Sequence, residues 1–176
     1  MRILLVRHAA TAGNLQHRYI GTTDEPLCPE GRAQLAKLHF PPPELLVCSP
    51  LRRCTETAEL LFPGRPYLTE PDFRECDFGV FEGKNYADLN GRPDYQAWID
   101  AGGMLPFPGG ESPESFRKRC TAAFSALLRN HPAVGNMALI VHGGTIMSIL
   151  SDRLGGGYFS YQLPNAGHYW LTIETR

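Results

Sequence analysis

The chain has 176 residues, and its 17 Lys and Arg residues nearly balance its 18 Asp and Glu residues, which gives a formal net charge of −1. This length suits one domain of about 100 to 200 residues, with enough chain to bury a substantial core. The balanced charge gives no support for nucleic acid or an anionic membrane as a partner, so any site for an anion must be local.

Short apolar runs and unpaired cysteines restrict the class of protein further. The longest apolar runs, such as residues 3–6 and 138–141, are far shorter than the roughly 18 residues that a membrane span needs. The N-terminal segment lacks a signal-peptide pattern, so we expect a cytoplasmic protein that does not span a membrane. Five cysteines at unrelated spacings, without a C-x-x-C pair, predict reduced and mostly buried thiols.

Four segments are predicted to be strands. The apolar runs at 3–6, 45–48 and 138–141 favour strands covered on both faces, as in a parallel sheet, although periodicity alone also permits short buried helices. Residues 169–173 are rich in side chains that favour strands, and we predict the last strand there.

Four helices are predicted from their start signals and apolar spacing. One runs from residue 29 to about residue 38, and the next starts with Ser49 as its cap and Pro50 at its first position. The third starts in the same way at Ser112 and Pro113, and the fourth covers residues 146–154.

The alternation of these strands and helices predicts the fold class. We expect an α/β protein, a three-layer α/β/α sandwich with a mostly parallel central sheet. Residues 78–111 are rich in aromatic residues, Gly and Pro with weak periodicity, which predicts a small cap over the carboxyl ends of the strands. We expect the whole of residues 1–176 to form a single domain with this cap as an excursion.

Basic residues follow each of the three apolar runs. Arg7 and His8 end the first run, Arg53 follows the second, and His142 ends the third, ahead of two glycines. In open α/β sheets, ligands bind beyond the carboxyl ends of the strands, so these residues converge if the strands are neighbours. A phosphate dianion suits such a cluster, because a guanidinium offers paired donors and glycines admit backbone N–H groups.

The sequence lacks the motifs that mark three other types of nucleotide-binding or hydrolytic site. The sequence has no Walker A motif, no Cys followed six positions later by Arg, and no G-x-S-x-G elbow. No H-x-H, H-E-x-x-H or carboxylate triad accompanies the histidines, which argues against a metal site. A neutral imidazole can attack phosphorus, so His8 or His142 is the predicted nucleophile.

Several blocks follow one another along most of the chain. They are, in order, Arg7-His8-Ala9-Ala10-Thr11 with Asn14; the segment from Gly21 to Gly31; Cys48-Ser49-Pro50-Leu51-Arg52-Arg53; Phe73-Arg74-Glu75 with Phe78-Gly79 and Glu82-Gly83; Pro108-Gly109-Gly110-Glu111-Ser112; and His142-Gly143. Together they resemble the signature of the histidine phosphatase superfamily, in its phosphoglycerate mutase-like branch. One departure is Ala9, where that family most often has Gly.

The resemblance implies a role for individual residues. The implied catalytic residues are His8, the nucleophile; Glu75, the general acid; and Arg7, Arg53 and His142, which stabilise the phosphoryl group. The implied substrate-binding residues are Asn14, Thr23 and Gly143. The resemblance implies no cofactor and no metal, and its binding partner is a small-molecule phosphomonoester.

The cap separates two activities within this branch. Mutases of the branch are longer and carry an adjacent arginine pair that helps to hold phosphoglycerate, whereas residues 78–111 contain one Arg, Arg92. The expected activity is therefore that of a phosphatase. The bacterial α-ribazole phosphatases are similar in length and in the cap blocks, so α-ribazole 5′-phosphate is the specific substrate expected. Broad-specificity sugar phosphatases share the same features and remain an alternative.

Two alternatives remain open at this point. The aromatic residues of the cap either line an apolar pocket for the alcohol part of a phosphoester or form core. A phosphoglycerate mutase and a non-catalytic phosphate-binding regulatory protein are the rival functions.

Overall fold

The computed structural model describes residues 1–174, and its centre is a five-stranded sheet. The strands, in chain order, are β1 (Arg2–Arg7), β2 (Leu45–Cys48), β3 (Leu68–Thr69), β4 (Asn136–Val141) and β5 (His168–Thr172). Their order across the sheet is β3-β2-β4-β1-β5, and all neighbours are parallel except β1 and β5. The prediction of a mostly parallel central sheet is confirmed.

The register of the strands brings three carboxyl ends to one edge of the sheet. Arg7 of β1 lies opposite Val141 of β4, and Cys48 of β2 lies opposite Ile140 of β4. Beyond β1, the N–H of His8 still donates to the carbonyl of Val141 at 2.9 Å. Residues that directly follow these strands therefore meet at this edge.

Helices cover both faces of the sheet. They are α1 (Ala12–Leu15), α2 (Pro29–Leu35), α3 (Arg52–Leu61), α4 (Tyr86–Leu89), α5 (Pro93–Asp100), α6 (Pro113–Asn130) and α7 (Gly143–Leu154), with short 3₁₀ helices at Pro71–Phe73, Gly79–Phe81 and Tyr158–Tyr161. Side chains alternate along β1: Ile3 and Leu5 pack in the core below α6 and α7, whereas Leu4 and Val6 pack against α3. This alternation confirms the three-layer sandwich.

The predicted starts of two helices differ from the structure. The helix expected to begin at Ser49 and Pro50 begins at Arg52, because the buried Ser49 hydroxyl is hydrogen-bonded to His142 Nε2 at 2.8 Å instead of capping the helix. The helix expected over 146–154 begins earlier, at Gly143. At α6 the prediction is confirmed, since Ser112 Oγ accepts from the N–H of Ser115 at 3.1 Å.

One other predicted helix and one predicted strand differ from the structure by one to three residues at their ends. The helix expected from 29 to about 38 ends at Leu35, and the N–H of Leu38 bonds to the Leu35 carbonyl at 3.0 Å in a tighter turn. The strand expected over 169–173 is His168–Thr172. All five cysteines are buried and free, as predicted.

Residues 78–111 form the cap, and they contain two short helices that the sequence did not predict, α4 and α5. Phe81, Leu89 and Tyr95 are buried in a cluster with Phe116 and Cys120 of α6, so the cap packs on that helix. No helix within residues 1–174 combines the length and the apolar character that crossing a bilayer requires.

Candidate active site

His8 is buried at the end of β1, with one ring nitrogen already engaged. Its side chain is 3% exposed, and Nδ1 lies 2.7 Å from the carbonyl oxygen of Ala9. Because a carbonyl only accepts, Nδ1 carries the proton and Nε2 holds the free lone pair of a neutral ring. Burial, followed by the charge of Arg53, lowers the pKa of His8 well below its ordinary value. The ring is therefore neutral near pH 7.

Ala9, the departure from the family pattern, fits this geometry without strain. Its N–H donates to Thr57 Oγ1 at 3.1 Å, and it does not adopt a positive φ. Thr57 in turn donates from its hydroxyl to the Arg53 carbonyl at 2.6 Å. The first turn of α3 and the loop after β1 are thus joined through Thr57.

His142 lies beside His8 at the carboxyl end of the neighbouring strand. The two ring centroids are 5.1 Å apart, and a 2.8 Å hydrogen bond joins His142 Nε2 to Ser49 Oγ. Burial, followed by the charge of Arg53, lowers the pKa of His142 well below its ordinary value. Since Ser49 engages Nε2, Nδ1 is the nitrogen of His142 that remains for a ligand, and its one hydrogen-bonding neighbour within residues 1–174 is Cys54 Sγ at 3.9 Å.

Arg53 is a fully buried cation in the first turn of α3. Its guanidinium donates to the carbonyls of Thr23 and Gly21, at 2.8 Å each, and its Nε has no hydrogen-bond partner within residues 1–174. No carboxylate of the described chain pairs with it. By contrast Arg52 is exposed and pairs with Glu56 at 3.1 Å. A buried cation without a counter-ion is costly unless an anion binds there.

Arg7 adds a second cation at the end of β1. Its Nη1 donates to the carbonyl of Leu163 at 2.5 Å, and its Nε is buried without a partner within residues 1–174. A Cβ added at Gly143 would lie 3.4 Å from Arg7 Cζ, so the guanidinium lies against the start of α7. Burial lowers the pKa of Arg7, but an arginine keeps its charge in proteins.

Glu75 closes the site from the segment that follows β3. Its carboxyl oxygens accept from the N–H of Cys76 at 3.0 Å and from the N–H of Gly144 at 3.3 Å. Burial raises the pKa of Glu75, and the nearby Arg53 and Arg7 only partly offset that effect. The carboxyl group therefore holds its proton to a higher pH than an exposed glutamic acid does.

The three implied substrate-binding residues occupy different positions. Asn14 Oδ1 accepts from Asn165 Nδ2 at 3.1 Å, and the same amide group donates to the His8 carbonyl, so Asn14 lies close to His8. Gly143 is the first residue of α7, where N–H groups lack intrahelical partners and the helix dipole favours anions. Thr23 is exposed, and its carbonyl is engaged by Arg53.

A cavity of about 300 Å³ opens beside these groups and includes Arg7, Glu75 and Gly143 in its wall. The cap, α6, the 3₁₀ helix at Tyr158–Tyr161 and the segment after α1 supply aromatic lining residues, which are Tyr19, Phe78, Trp98, Phe107, Phe116, Tyr158 and Phe159. Phe81 and Tyr95 lie in the cap core without lining the cavity, Phe107 belongs to both, and Tyr86 is exposed. The cap aromatics thus divide between pocket and core.

The sequence interpretation missed Arg117 and Tyr158. The guanidinium of Arg117 stacks on the Tyr158 ring at 3.9 Å, and both residues line the cavity. Arg117 Nε has no hydrogen-bond partner within the described chain. Arg117 follows Phe116 in the first turns of α6, so the Pro-Gly-Gly-Glu-Ser block just before that helix was the only signal that pointed toward it.

Residues 1–174 contain no cluster of three or more His, Cys, Asp or Glu side chains arranged to hold a metal ion. The chemistry that this arrangement offers comes from neutral imidazole, guanidinium and carboxyl groups around one edge of the sheet. Positive charge without carboxylate partners, next to helix N-terminal N–H groups, suits a phosphoryl group.

Comparisons with known proteins agree with this geometry. The family profile described as Histidine phosphatase superfamily (branch 1) matches residues 3–176. An adenosylcobalamin/alpha-ribazole phosphatase from Salmonella typhimurium is 32% identical over an alignment of 163 residues that covers 88% of this chain and 79% of that protein.

Solved structures share the fold over nearly the full chain. The alpha-ribazole phosphatase from Shigella flexneri superposes with a TM-score of 0.87 at 26% identity, covering 99% of this chain and 91% of that one. A phosphoglycerate mutase from Thermus thermophilus gives a TM-score of 0.75 at 31% identity, covering 100% and 95%. The chain therefore belongs to the histidine phosphatase superfamily.

Proposed function

We propose that this protein is a phosphomonoester hydrolase that forms a phosphohistidine at His8. The observation that supports this most strongly is the pairing of a neutral His8, whose Nδ1 is occupied, with the fully buried guanidinium of Arg53 and the partly buried guanidinium of Arg7. Neither guanidinium has a carboxylate partner within residues 1–174. A nucleophilic lone pair and an uncompensated positive field are what transfer of a phosphoryl group requires.

In the first step, His8 Nε2 attacks phosphorus and the bond between phosphorus and the ester oxygen breaks. Arg7, Arg53 and His142 donate to the phosphoryl oxygens, assisted by Asn14, Thr23 and the N–H of Gly143. Glu75 transfers its proton to the leaving oxygen. This role needs a carboxyl group that is protonated before the reaction, and burial raises the pKa of Glu75 in that direction.

In the second step, water attacks phosphorus and the nitrogen–phosphorus bond breaks. Glu75, now a carboxylate, takes a proton from that water, and His8 returns to its starting form. Every proton and bond in the cycle is handled by side chains of this chain, so no metal or cofactor is needed and the activity should survive a chelator.

The cavity supports a substrate with a bulky, flat alcohol group. Phe78, Trp98 and Phe107 supply apolar wall, and the Arg117 guanidinium adds a polar surface that stacks well with aromatic rings. The relatives named for alpha-ribazole add support, so α-ribazole 5′-phosphate is the specific substrate that we propose.

A mutase is the second candidate, because a phosphoglycerate mutase shares the fold. A mutase must hold a multiply charged intermediate and keep water away from the phosphohistidine. In the cap, Lys84 bonds to the Val80 carbonyl and Arg92 pairs with Asp94 at 2.7 Å, and neither cation lines the cavity. Arg117 is the one cation besides Arg7 among the lining residues, and a single additional guanidinium favours hydrolysis over transfer. A purely regulatory phosphate-binding role would leave the acid Glu75 without a purpose.

A substrate panel on the purified protein tests the proposal. It contains p-nitrophenyl phosphate, α-ribazole 5′-phosphate, phosphoserine and 3-phosphoglycerate with bisphosphoglycerate, all in excess chelator. We expect phosphate release from the first two, with the highest kcat/KM for α-ribazole 5′-phosphate. Absence of turnover by folded protein between about pH 5 and 8 would refute the hydrolase, and faster interconversion of phosphoglycerates than phosphate release would favour the mutase.

A further inference from the structure

We propose that Arg119 is the positioning residue for the general acid Glu75, an inference that rests on the acid role proposed above. Arg119 lies in α6, and its Nη2 donates to the main-chain carbonyl of Glu75 at 3.0 Å. The carboxyl group of Glu75 is held separately, by the N–H groups of Cys76 and Gly144. Arg119 therefore acts on the acid through its backbone and not through its reacting atoms.

All five N–H donors of the Arg119 guanidinium are used. Nε and Nη2 donate to the two carboxyl oxygens of Glu111, at 2.8 and 2.9 Å. Nη1 donates to the carbonyls of Asp72 and Arg74, at 2.6 and 2.8 Å, and the second N–H of Nη2 donates to the carbonyl of Glu75. Few side chains can satisfy so many acceptors, and a lysine, with three donors on one nitrogen, cannot reproduce this fork.

The carbonyls of residues 72–75 depend on side chains for their hydrogen bonds. The Arg119 guanidinium donates to the carbonyls of residues 72, 74 and 75, and Thr145 Oγ1 donates to the carbonyl of Phe73 at 3.2 Å. The short 3₁₀ helix Pro71–Phe73 ends just before Glu75, so regular secondary structure does not fix the acid. Arg119 therefore holds three of these four carbonyls and, together with Thr145, fixes the conformation of residues 72–75.

Glu111 anchors Arg119 and joins it to the cap. The N–H of Glu111 donates to the carbonyl of Asp77 at 2.9 Å, and the carbonyl of Glu111 accepts from Phe107, which lines the cavity. The side chains of the pair are 18% and 19% exposed, so solvent screens this ion pair less than one on the surface. The guanidinium of Arg119 thus links residues 72–75, the end of the cap at Glu111 and helix α6.

The consequence for catalysis is specific to proton donation. A general acid works only when its proton lies within hydrogen-bond reach of the leaving oxygen, and a displacement of about 1 Å can cost about 100-fold in rate. Within residues 1–174 no hydrogen bond joins Arg119 to Arg7, Arg53 or His142. The charge of Arg119 contributes only the last of the causes that lower the pKa of His142, and a lysine keeps that charge. Loss of Arg119 should therefore impair substrates that need protonation and spare those that do not.

The test compares kcat/KM for two monoesters, p-nitrophenyl phosphate and 2-phenylethyl phosphate, in wild type and in Arg119→Lys. For these esters kcat/KM reports the steps up to phosphoryl transfer to His8. We expect Arg119→Lys to lose about 10-fold or more on the alkyl ester and less than about threefold on the aryl ester, whose leaving group barely needs a proton. Arg129→Lys, an exposed change on the same helix, is the matched control and should change neither.

Glu111→Gln is the second variant, because it keeps the side-chain shape but weakens the anchor of Arg119. It should show the same selectivity with a smaller loss, and it decides the question if Arg119→Lys does not fold. Equal losses on both esters, or no loss in either variant, would overturn the inference. Glu75→Gln is measured alongside: if it shows the selectivity and the Arg119 and Glu111 variants do not, the positioning role fails alone, whereas a silent wild type would refute the proposed function itself.

Discussion

Glu82 and Arg53 hold the same loop from opposite sides. Glu82 Oε1 accepts from the N–H groups of Gly21 and Thr23, at 2.8 and 2.9 Å, while the Arg53 guanidinium donates to the carbonyls of the same two residues. The position of the buried Arg53 guanidinium therefore depends on a carboxylate in the cap.

The first prediction follows from that loop. Glu82→Ala leaves two N–H groups without their acceptor, at a cost of about 1 to 3 kcal/mol for each one that stays buried. We expect lower stability and about a 10-fold loss of kcat/KM that is equal for alkyl and aryl phosphates, because in the proposed mechanism Arg53 holds the phosphoryl group of both. Glu82→Gln keeps an acceptor oxygen and should recover most of the loss. A loss confined to alkyl esters would contradict this role.

The strands and the residues at their ends were predictable because each signal is local and repeated. Ile3, Leu5 and their alternating neighbours are apolar because both faces of the sheet are covered, and basic residues follow directly. Arg53 was found through a family motif and not through helix periodicity. Its full burial distinguishes it from the exposed Arg52 only once the chain is folded.

Other features depend on contacts between distant residues. Ser49 carries the sequence signal of a helix cap, yet its hydroxyl is hydrogen-bonded to His142, 93 positions later in the chain. The short helices α1 and α4 are each fixed by a capping box, and a four-residue helix has almost no periodicity to read. The roles of Arg117 and Arg119 need the cavity and the folded acid segment, which neighbouring residues in the sequence do not specify.

The second prediction concerns the acid. Glu75→Gln cannot donate a proton, so the alkyl ester should lose about 100-fold or more in kcat/KM while p-nitrophenyl phosphate loses far less. Since the folded pKa of Glu75 is raised, the wild-type rate on the alkyl ester should fall as pH rises through that pKa, and the variant should lack this limb. An unchanged alkaline limb in Glu75→Gln would assign it to another group.

The third prediction concerns stability at low pH. Burial lowers the pKa of His8 and His142 well below the value of about 6.5 in the unfolded chain. Below that pH the unfolded chain binds protons that the folded chain does not, so stability present above about pH 6.5 is lost as pH falls, by up to about 1.4 kcal/mol per pH unit for each histidine. Urea denaturation at several pH values measures this slope.

His142→Asn should reduce that slope by one proton, whereas His39→Gln, a change at an exposed histidine, should leave the wild-type slope. A slope that is the same in His142→Asn and in wild type would mean that His142 is not held neutral by burial.

The fourth prediction tests the anion site without catalysis. We expect inorganic phosphate to bind the folded protein and not the unfolded chain, so at about 100 times its Kd it should stabilise the wild type by about 2.7 kcal/mol. The stabilisation is measured as a rise in Tm. Arg53→Met should abolish this rise because it removes the buried cation. Arg52→Met removes the exposed neighbour instead and should keep it. Phosphate stabilisation that depends on Arg52 and not on Arg53 would place the anion elsewhere.

Trapping the phosphorylated enzyme tests the central claim most directly. Wild type mixed with labelled substrate and quenched with denaturant should hold a phosphoryl group that is stable in base and lost in acid, as a nitrogen–phosphorus bond requires, and His8→Ala should hold none. His17→Ala, at an exposed histidine in the same part of the chain, should label like the wild type. A label that is stable in acid and lost in base, or one that persists in His8→Ala, would contradict a phosphohistidine at His8.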